Sequence, residues 1–200
     1  MPYIMKMYVD GGCRHNGYSD AIGAAACVVH MRAGRKKTWT RTIPSGQNPT
    51  NQRAEITAII LALQQALNRY DRLHSAPSLE VTIYTDSKYV QGCMSTWIYQ
   101  WSKNGWLNSR GSPVANRDLI QEASNLDDAV RGLGDVEYVW VPRSQNREAD
   151  EAANLAMDEM EELSEFRDVS MYAVPGISII KRNHPKSPIL FELSSIFVVA

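Results

Sequence analysis

Apolar and polar side chains alternate along the N-terminal part of the chain. From Tyr3 to Asp10 every second residue is apolar, which is the period of a β-strand with one buried face. Ala21 to His30 is small and apolar, and Lys36 to Ile43 alternates bulky residues with threonines, so we expect strands in both. Gly34 between them favours a hairpin. Three strands in succession predict an antiparallel arrangement.

Glycine pairs and a helical period follow. Gly11-Gly12 and Asn16-Gly17 predict that the first strand ends at Asp10 and that a turn succeeds it. Thr50 is suited to cap a helix that runs to about Tyr70, because apolar residues then recur on one helical face.

The second half of the chain alternates strands with helices. We expect, in order, a strand at Val81–Thr85, a helix capped by Asp86-Ser87 that carries Trp97 and Trp101, a loop at Asn104–Val114, a helix at Asn116–Val130, a strand at Val136–Val141, and a last helix capped by Asn146. Strands separated by helices favour parallel pairing. The fold class is therefore α/β, with a five-stranded mixed sheet, three strands antiparallel and then two parallel, and helices on both faces.

The chain divides in character near residue 163. Residues 1–163 carry the periodic pattern, and we expect one domain there. Residues 164–200 contain three prolines and the basic pair Lys181-Arg182 without a sustained period, so we interpret them as a C-terminal extension of unknown role.

Composition limits the possible partners and compartments. The net charge of −1 gives no general attraction to nucleic acid, so any phosphate binding must be local. The three cysteines have no metal-site spacing and are typical of free thiols in a reducing compartment. No secretory signal and no membrane-spanning run is present in the sequence. We expect an intracellular protein of the cytoplasm, nucleus or an organelle matrix, without a membrane and as a monomer.

Four acidic residues form the most informative pattern. Asp10 and Asp86 follow predicted strands, whereas Glu55 and Asp150 lie near the starts of predicted helices. Any one of them alone is typical of a turn or a helix start. Four carboxylates converging from strand and helix ends repel one another unless cations neutralise them, and such oxygen ligands suit Mg²⁺ or Mn²⁺. The combination predicts metal-dependent phosphodiester chemistry.

Two further groups of residues suit a nucleic acid. Asn16, Asn51 and Gln52 carry amides that both donate and accept hydrogen bonds, as minor-groove edges and ribose hydroxyls require, although each alone is also typical of a turn or a cap. The aromatic and basic cluster comprises Trp97, Trp101, Trp106, Lys103 and Arg110. Aromatic faces pack on sugars and bases, but tryptophans four apart on a helix are more often core residues.

Four motifs in order resemble those of the ribonuclease H type 1 family. They read YVDGG with a following NG, TNQRAE, YTDS with WxxxWxxNGW, and VPR with NREAD, and the resemblance covers roughly Tyr3 to Met157. It implies the ribonuclease H-like fold and an endonuclease that hydrolyses the RNA strand of an RNA–DNA hybrid. The products would be a 3′-hydroxyl and a 5′-phosphate, formed with two Mg²⁺ ions for which Mn²⁺ can substitute.

The resemblance also implies roles for individual residues. The four acids Asp10, Glu55, Asp86 and Asp150, with Gly11 beside the first, match the metal site. Residues implied to contact the RNA side are Cys13, Arg14, Asn16, Asn51 and Gln52. Residues implied to contact the DNA strand are Thr50 and Asn116 in a phosphate pocket, Trp101 and Ser109 in a channel, and Trp97 in the neighbouring aromatic and basic cluster.

The sequence departs from the family pattern in the loop before the last acid. Many members carry a histidine there, whereas Val141 to Asn146 is short and has none, which resembles a histidine-less branch of stand-alone eukaryotic or fungal-like enzymes. Arg143 is a possible replacement for that histidine. Ser102 stands at an often basic position, and no hybrid-binding module is expected before Asp10. The alternatives are a retroelement-derived ribonuclease H domain and a catalytically weak hybrid-binding protein.

Overall fold

The computed structural model describes residues 1–31 and 34–171, with side chains as far as residue 164. The strands are β1 (Tyr3–Arg14), β2 (Ile22–His30), β3 (Lys36–Ile43), β4 (Leu79–Thr85) and β5 (Gly134–Trp140). The helices are α1 (Asn51–Tyr70), α2 (Lys88–Gly92), α3 (Ile98–Trp101), α4 (Arg117–Arg131) and α5 (Arg147–Met171). In these residues no helix is both long enough and apolar enough to cross a membrane.

The strands form one mixed sheet in the order β3-β2-β1-β4-β5. β2 is antiparallel to both β1 and β3, whereas β4 runs parallel to β1 and to β5. This confirms the predicted fold class. The register of β1 and β4 places Val9 opposite Thr85. Asp10, the next residue of β1, and Asp86, the residue after β4, therefore lie next to each other at the same edge of the sheet.

Helices cover both faces of the sheet, as predicted. Met5, Met7 and Val9 alternate along β1 and are buried in the main core, to which α1 and α4 contribute. On the other face, Ala24 of β2 packs with Ala156 and Met157 of α5. The sheet therefore has α1 on one side and α5 on the other, and the two helices reach the edge that carries the acids.

The prediction that β1 ends at Asp10 is wrong. The strand continues through Gly11 and Gly12, which pair with Ala25 and Ala24 of β2, and the turn begins only at His15 with a φ of 52°. Glycine inside a strand often marks a close approach of another backbone rather than a turn.

The predicted tryptophan helix is confirmed, but its middle is π-helical rather than α-helical. α2 passes into a five-residue π-helical stretch at Cys93–Trp97, and α3 follows it. α5 continues beyond residue 163 to Met171. The remainder of the predicted extension, residues 172–200, lies outside the described residues.

Candidate metal-dependent active site

Asp10 on β1 and Asp86, directly after β4, lie side by side because the two strands are parallel neighbours. Asp10 is only 9% exposed, and the burial of its carboxyl, followed by the negative charge of Asp86, raises the pKa of Asp10 to about 8. A buried carboxylate that is repelled by another carboxylate keeps its proton unless a positive charge compensates it. The structure therefore places two mutually repelling acids at the end of the central strands.

Glu55 lies near Asp10 and Asp86 and is supplied by α1, which covers one face of the sheet. Thr50 caps this helix, as predicted, because its hydroxyl accepts a hydrogen bond from the Arg53 backbone amide at 3.2 Å. The Ser87 hydroxyl donates to the Glu55 carboxylate. Burial raises the pKa of Glu55, and the hydrogen bond from Ser87 opposes that increase.

Asp150 lies in the first turn of α5 and is paired with Arg143. Arg143 belongs to a short 3-10 helix, Arg143–Gln145, which occupies the loop that lacks the histidine. The carboxylate of Asp150 raises the pKa of the Arg143 guanidinium above its ordinary value. In the structure the last acid is thus neutralised by the chain's own cation.

Asn146 sits at the position predicted for the cap of α5, but its side chain has a different task. Its backbone carbonyl accepts hydrogen bonds from the amides of Ala149 and Asp150, as a helix start requires. Its amide nitrogen donates to the Val9 carbonyl at 2.9 Å and to the Asp86 carboxylate at 3.0 Å. The predicted side-chain cap is therefore wrong, because the side chain is committed to the sheet.

The four acids line one open cleft of about 370 Å³. Its lining includes Asp10, Glu55, Asp86, Asp150, Asn51 and Arg143. In the described part of the chain, no three Asp, Glu, His or Cys side chains are already arranged around a common metal position. Three of the acids instead accept hydrogen bonds from side chains of the same chain. The donors are Ser87 to Glu55, Asn146 to Asp86 and Arg143 to Asp150.

The donor set nevertheless fits a divalent cation. It consists of carboxylate oxygens, which Mg²⁺ and Mn²⁺ prefer, in a cleft where burial and then the charge of Asp86 raise the pKa of Asp10. A cation that replaced Arg143 beside Asp150 would relieve this repulsion. Gly11, which the resemblance groups with the metal site, lines the cleft and lies against the backbone of Ala54 in α1.

The predicted RNA-side residues divide into two sets. Asn51 accepts a hydrogen bond from the Cys13 backbone amide at 2.9 Å, so both lie in the wall of the cleft beside the acids. Arg14 also lines the cleft, but its guanidinium is bound by Asp158 and Glu161 of α5. Asn16 is exposed in the turn after β1 and does not line this cleft.

The predicted DNA-side residues begin next to the start of α1. The side-chain nitrogen of Asn116 (Nδ2) lies 3.5 Å from the side-chain oxygen of Gln52 (Oε1), and this contact connects the start of α4 with the start of α1. Asn116 has a φ of 57° in the left-handed region, which asparagine tolerates better than most residues. This places Asn116 next to Gln52, two residues after Thr50, and the phosphate pocket of Thr50 and Asn116 stays a prediction.

The tryptophans form a connected aromatic surface. The ring centroids of Trp97 and Trp101 are 5.8 Å apart, and those of Trp101 and Trp106 are 6.5 Å apart. Trp97 is 37% exposed, and Trp101 and Trp106 are half-buried against the core. Ser109 is exposed in the loop that follows. The tryptophans are therefore partly core and partly surface residues.

Sequence reasoning missed Trp140, which contacts the backbone of an acid, and Lys88, which contacts Trp140. The Trp140 indole nitrogen donates to the Asp86 carbonyl at 3.0 Å, and the Lys88 ammonium lies 4.9 Å from the centre of the Trp140 ring. Trp140 is 42% exposed for an aromatic residue at a strand end. Its position at the end of β5 was the available signal, because β5 is parallel to β4 and ends at the same edge.

Comparison with known proteins identifies the family. The family model described as RNase H matches residues 2–158. The ribonuclease H of Neisseria gonorrhoeae is 35% identical over 153 residues, which are 74% of this chain and 91% of that protein. The ribonuclease H of Dechloromonas aromatica is 33% identical over 160 residues, covering 78% of this chain and 95% of that protein.

Solved structures show the same architecture. LC9-RNase H1, described as a type 1 RNase H with the type 2 active-site motif, aligns with a TM-score of 0.60 at 28% identity, over 78% of this chain and 72% of that one. RNase H1 of Halobacterium salinarum aligns with a TM-score of 0.55 at 23% identity, over 78% of this chain and 99% of that one.

The chain belongs to the RNase H family. That membership places it among the nucleases, a class of hydrolases. Its assignment to a histidine-less branch stays a prediction.

Proposed function

We propose that this chain is an endonuclease that hydrolyses the RNA strand of RNA–DNA hybrids in a divalent-metal-dependent reaction, leaving a 3′-hydroxyl and a 5′-phosphate. The observation that carries the proposal is the convergence of four carboxylates from β1, α1, β4 and α5 on one cleft. Family membership supports the same activity.

The acids are the residues that would hold two Mg²⁺ ions, or Mn²⁺ in their place. Asp10 and Asp86 are fixed by the sheet, whereas Glu55 and Asp150 are supplied by helices on its two faces. Such ions, when bound, lower the pKa of a water molecule and neutralise charge on a phosphate under attack. Before they bind, Ser87, Asn146 and Arg143 keep the carboxylates oriented.

The walls of the cleft would recognise the hybrid. The Asn51 amide is anchored by the backbone of Cys13 at 2.9 Å, so its nitrogen is directed by a fixed bond and can donate to a minor-groove acceptor or a ribose hydroxyl. Gln52, Thr50 and Asn116 continue the surface away from the acids. The connected tryptophans offer flat faces for sugars and bases of the DNA strand.

Arg143 would act through its charge alone. A guanidinium does not release its proton in a protein, so Arg143 cannot take the part of a histidine as a base. Its pKa is raised further by Asp150, which keeps a permanent positive charge at the mouth of the cleft. That charge is suited to attract the phosphate of a departing product.

The test is cleavage of one end-labelled strand in three matched duplexes, RNA–DNA, RNA–RNA and DNA–DNA, with Mg²⁺, with Mn²⁺ and with a chelator. We expect cuts only in the RNA strand of the hybrid, only with metal, and with 5′-phosphate ends. A retroelement-derived domain would give the same result. Tight hybrid binding without cleavage in either metal would contradict the proposal and favour a hybrid-binding protein.

A further inference from the structure

Asn146 occupies a junction between three elements that carry acids. Its side chain is only 1% exposed, and it lies between the 3-10 helix of the Arg143 loop and the start of α5. Through its amide it contacts the backbone of β1 at Val9 and the side chain of Asp86 after β4. Its backbone carbonyl accepts a hydrogen bond from the backbone amide of Asp150 at 3.1 Å.

The hydrogen-bond directions are fixed by chemistry. The two groups that face the amide nitrogen, a backbone carbonyl and a carboxylate, are both acceptors, so the Asn146 amide must present its nitrogen and both its hydrogens to them. The amide oxygen is buried and finds no donor among the residues described. A buried acceptor without a partner lowers stability. The side chain therefore makes its two donations at some cost to the fold.

These contacts span three of the four acids. The bond to Val9 holds the peptide next to Asp10, the bond to Asp86 is direct, and the carbonyl of Asn146 begins the helical turn that carries Asp150. We propose that Asn146 is a positioning residue that holds Asp10, Asp86 and Asp150 in one frame before metal binds.

An uncharged donor suits this task. The acids repel each other, so without a scaffold the free protein would spread them apart and metal binding would have to draw them together. A cation in this place would compete with the metal for the charge of Asp86. The Asn146 amide orients Asp86 without neutralising it, in the way that groups behind a metal site orient the ligands in front of them.

The inference rests on the proposed function and has its own test. Asn146→Asp keeps the shape of the side chain but replaces the donor facing Asp86 with a second acid. Asn146→Ala removes both donations and adds no charge, which covers the case in which the aspartate variant does not fold. Gln145→Glu is the matched control, because it makes the same amide-to-carboxylate change at the adjacent, exposed position.

Each variant is assayed for hybrid cleavage over a range of Mg²⁺ concentrations, and Mn²⁺ binding without hybrid is measured by titration calorimetry. Circular dichroism checks that each is folded at the assay temperature. For both Asn146 variants we expect kcat to fall about 10- to 100-fold, the half-saturating Mg²⁺ concentration to rise, Mn²⁺ binding to weaken, and KM for the hybrid to stay unchanged. Gln145→Glu should behave as the unmodified chain.

The outcomes separate the two proposals. A folded Asn146→Ala protein with unchanged kcat and unchanged Mn²⁺ affinity overturns the positioning role and leaves the proposed function intact. If Gln145→Glu loses as much as Asn146→Asp while Asn146→Ala loses nothing, added charge explains the effect and the positioning role is overturned. If the unmodified chain neither cleaves hybrid nor binds Mn²⁺, the proposed function fails and the positioning role falls with it.

Discussion

A β-carbon added to Gly11 would lie 2.2 Å from the carbonyl carbon of Ala54. Helix α1 therefore rests directly on the backbone of β1, one residue beyond Asp10. Glu55 follows Ala54 in the helix, so this close approach is what brings Glu55 beside Asp10. The glycine is required by the space between two backbones and not by a turn.

Gly11→Ala tests that relationship. Neither backbone can move aside cheaply, so we expect a loss of at least about 3 kcal/mol in the free energy of unfolding, or a displaced α1 with little activity. Urea unfolding and the cleavage assay measure the two effects. Gly46→Ala is the control, because a β-carbon there meets no atom within 4 Å. Similar behaviour of the two variants would show that α1 does not depend on Gly11.

Asn51→Ala separates recognition from folding. The change removes the acceptor for the Cys13 backbone amide and the donor proposed for the hybrid, so we expect KM for the hybrid to rise about fivefold to tenfold. Asn68→Ala is the control, since Asn68 is an exposed asparagine on the same helix. An unchanged kcat/KM in the Asn51 variant would show that Asn51 does not contribute to hybrid binding and only stabilises the start of α1.

Asp10→Asn changes the pH dependence of stability in the metal-free protein. The pKa of Asp10 rises from 3.8 to about 8 on folding, so between these values the folded chain binds more protons than the unfolded chain. The free energy of unfolding must then fall as the pH increases from about 4 to about 8. We expect Asp10→Asn to remove this decrease and to be more stable at pH 8 by up to about 5 kcal/mol.

Thermal unfolding in chelator at several pH values measures this effect. The two proteins should have similar stability near pH 4 and diverge as the pH increases. Curves of stability against pH that stay parallel over that interval would show that folding does not raise the pKa of Asp10.

Arg143→Gln tests whether the arginine competes with metal. Asp150 loses its ion pair, so the metal-free protein should melt at a lower temperature. The half-saturating Mg²⁺ concentration should decrease by no more than about fivefold, because solvent around the exposed Arg143 side chain weakens the pair. The kcat should fall as well if the charge assists product release. Arg147→Gln, an exposed neighbour on α5, is the control. A need for more Mg²⁺ would contradict the competition.

Local pattern predicted most of the elements. The caps Thr50 and Ser87, the three antiparallel strands and the parallel pair follow from periodicity and from short polar residues at helix starts, which depend on nearby sequence alone. The convergence of the four acids was also predicted from the sequence. Each follows an apolar strand pattern or lies near a helix start, and the sheet brings such positions together at one edge.

What the sequence did not reveal depends on contacts between distant segments. Gly11 looked like a turn residue because its neighbour Ala54 is far along the chain. Asn146 looked like a cap because nothing local indicates that its side chain reaches Val9 and Asp86. The π-helical stretch at Cys93–Trp97 likewise lies inside a helix whose apolar spacing is regular, so the spacing alone did not indicate it. Tertiary packing decides such cases over local preference.

The most direct measurement replaces each acid by its amide and follows cleavage of the RNA–DNA hybrid with Mg²⁺. The four variants are Asp10→Asn, Glu55→Gln, Asp86→Asn and Asp150→Asn, and Glu151→Gln is the control because it is an exposed acid next to Asp150. We expect the four variants to bind hybrid but to lose Mg²⁺-dependent cleavage, most completely at Asp10 and Asp86, while the control cleaves normally. Near-normal cleavage by Asp10→Asn or Asp86→Asn would contradict the assignment of this cleft as the active site.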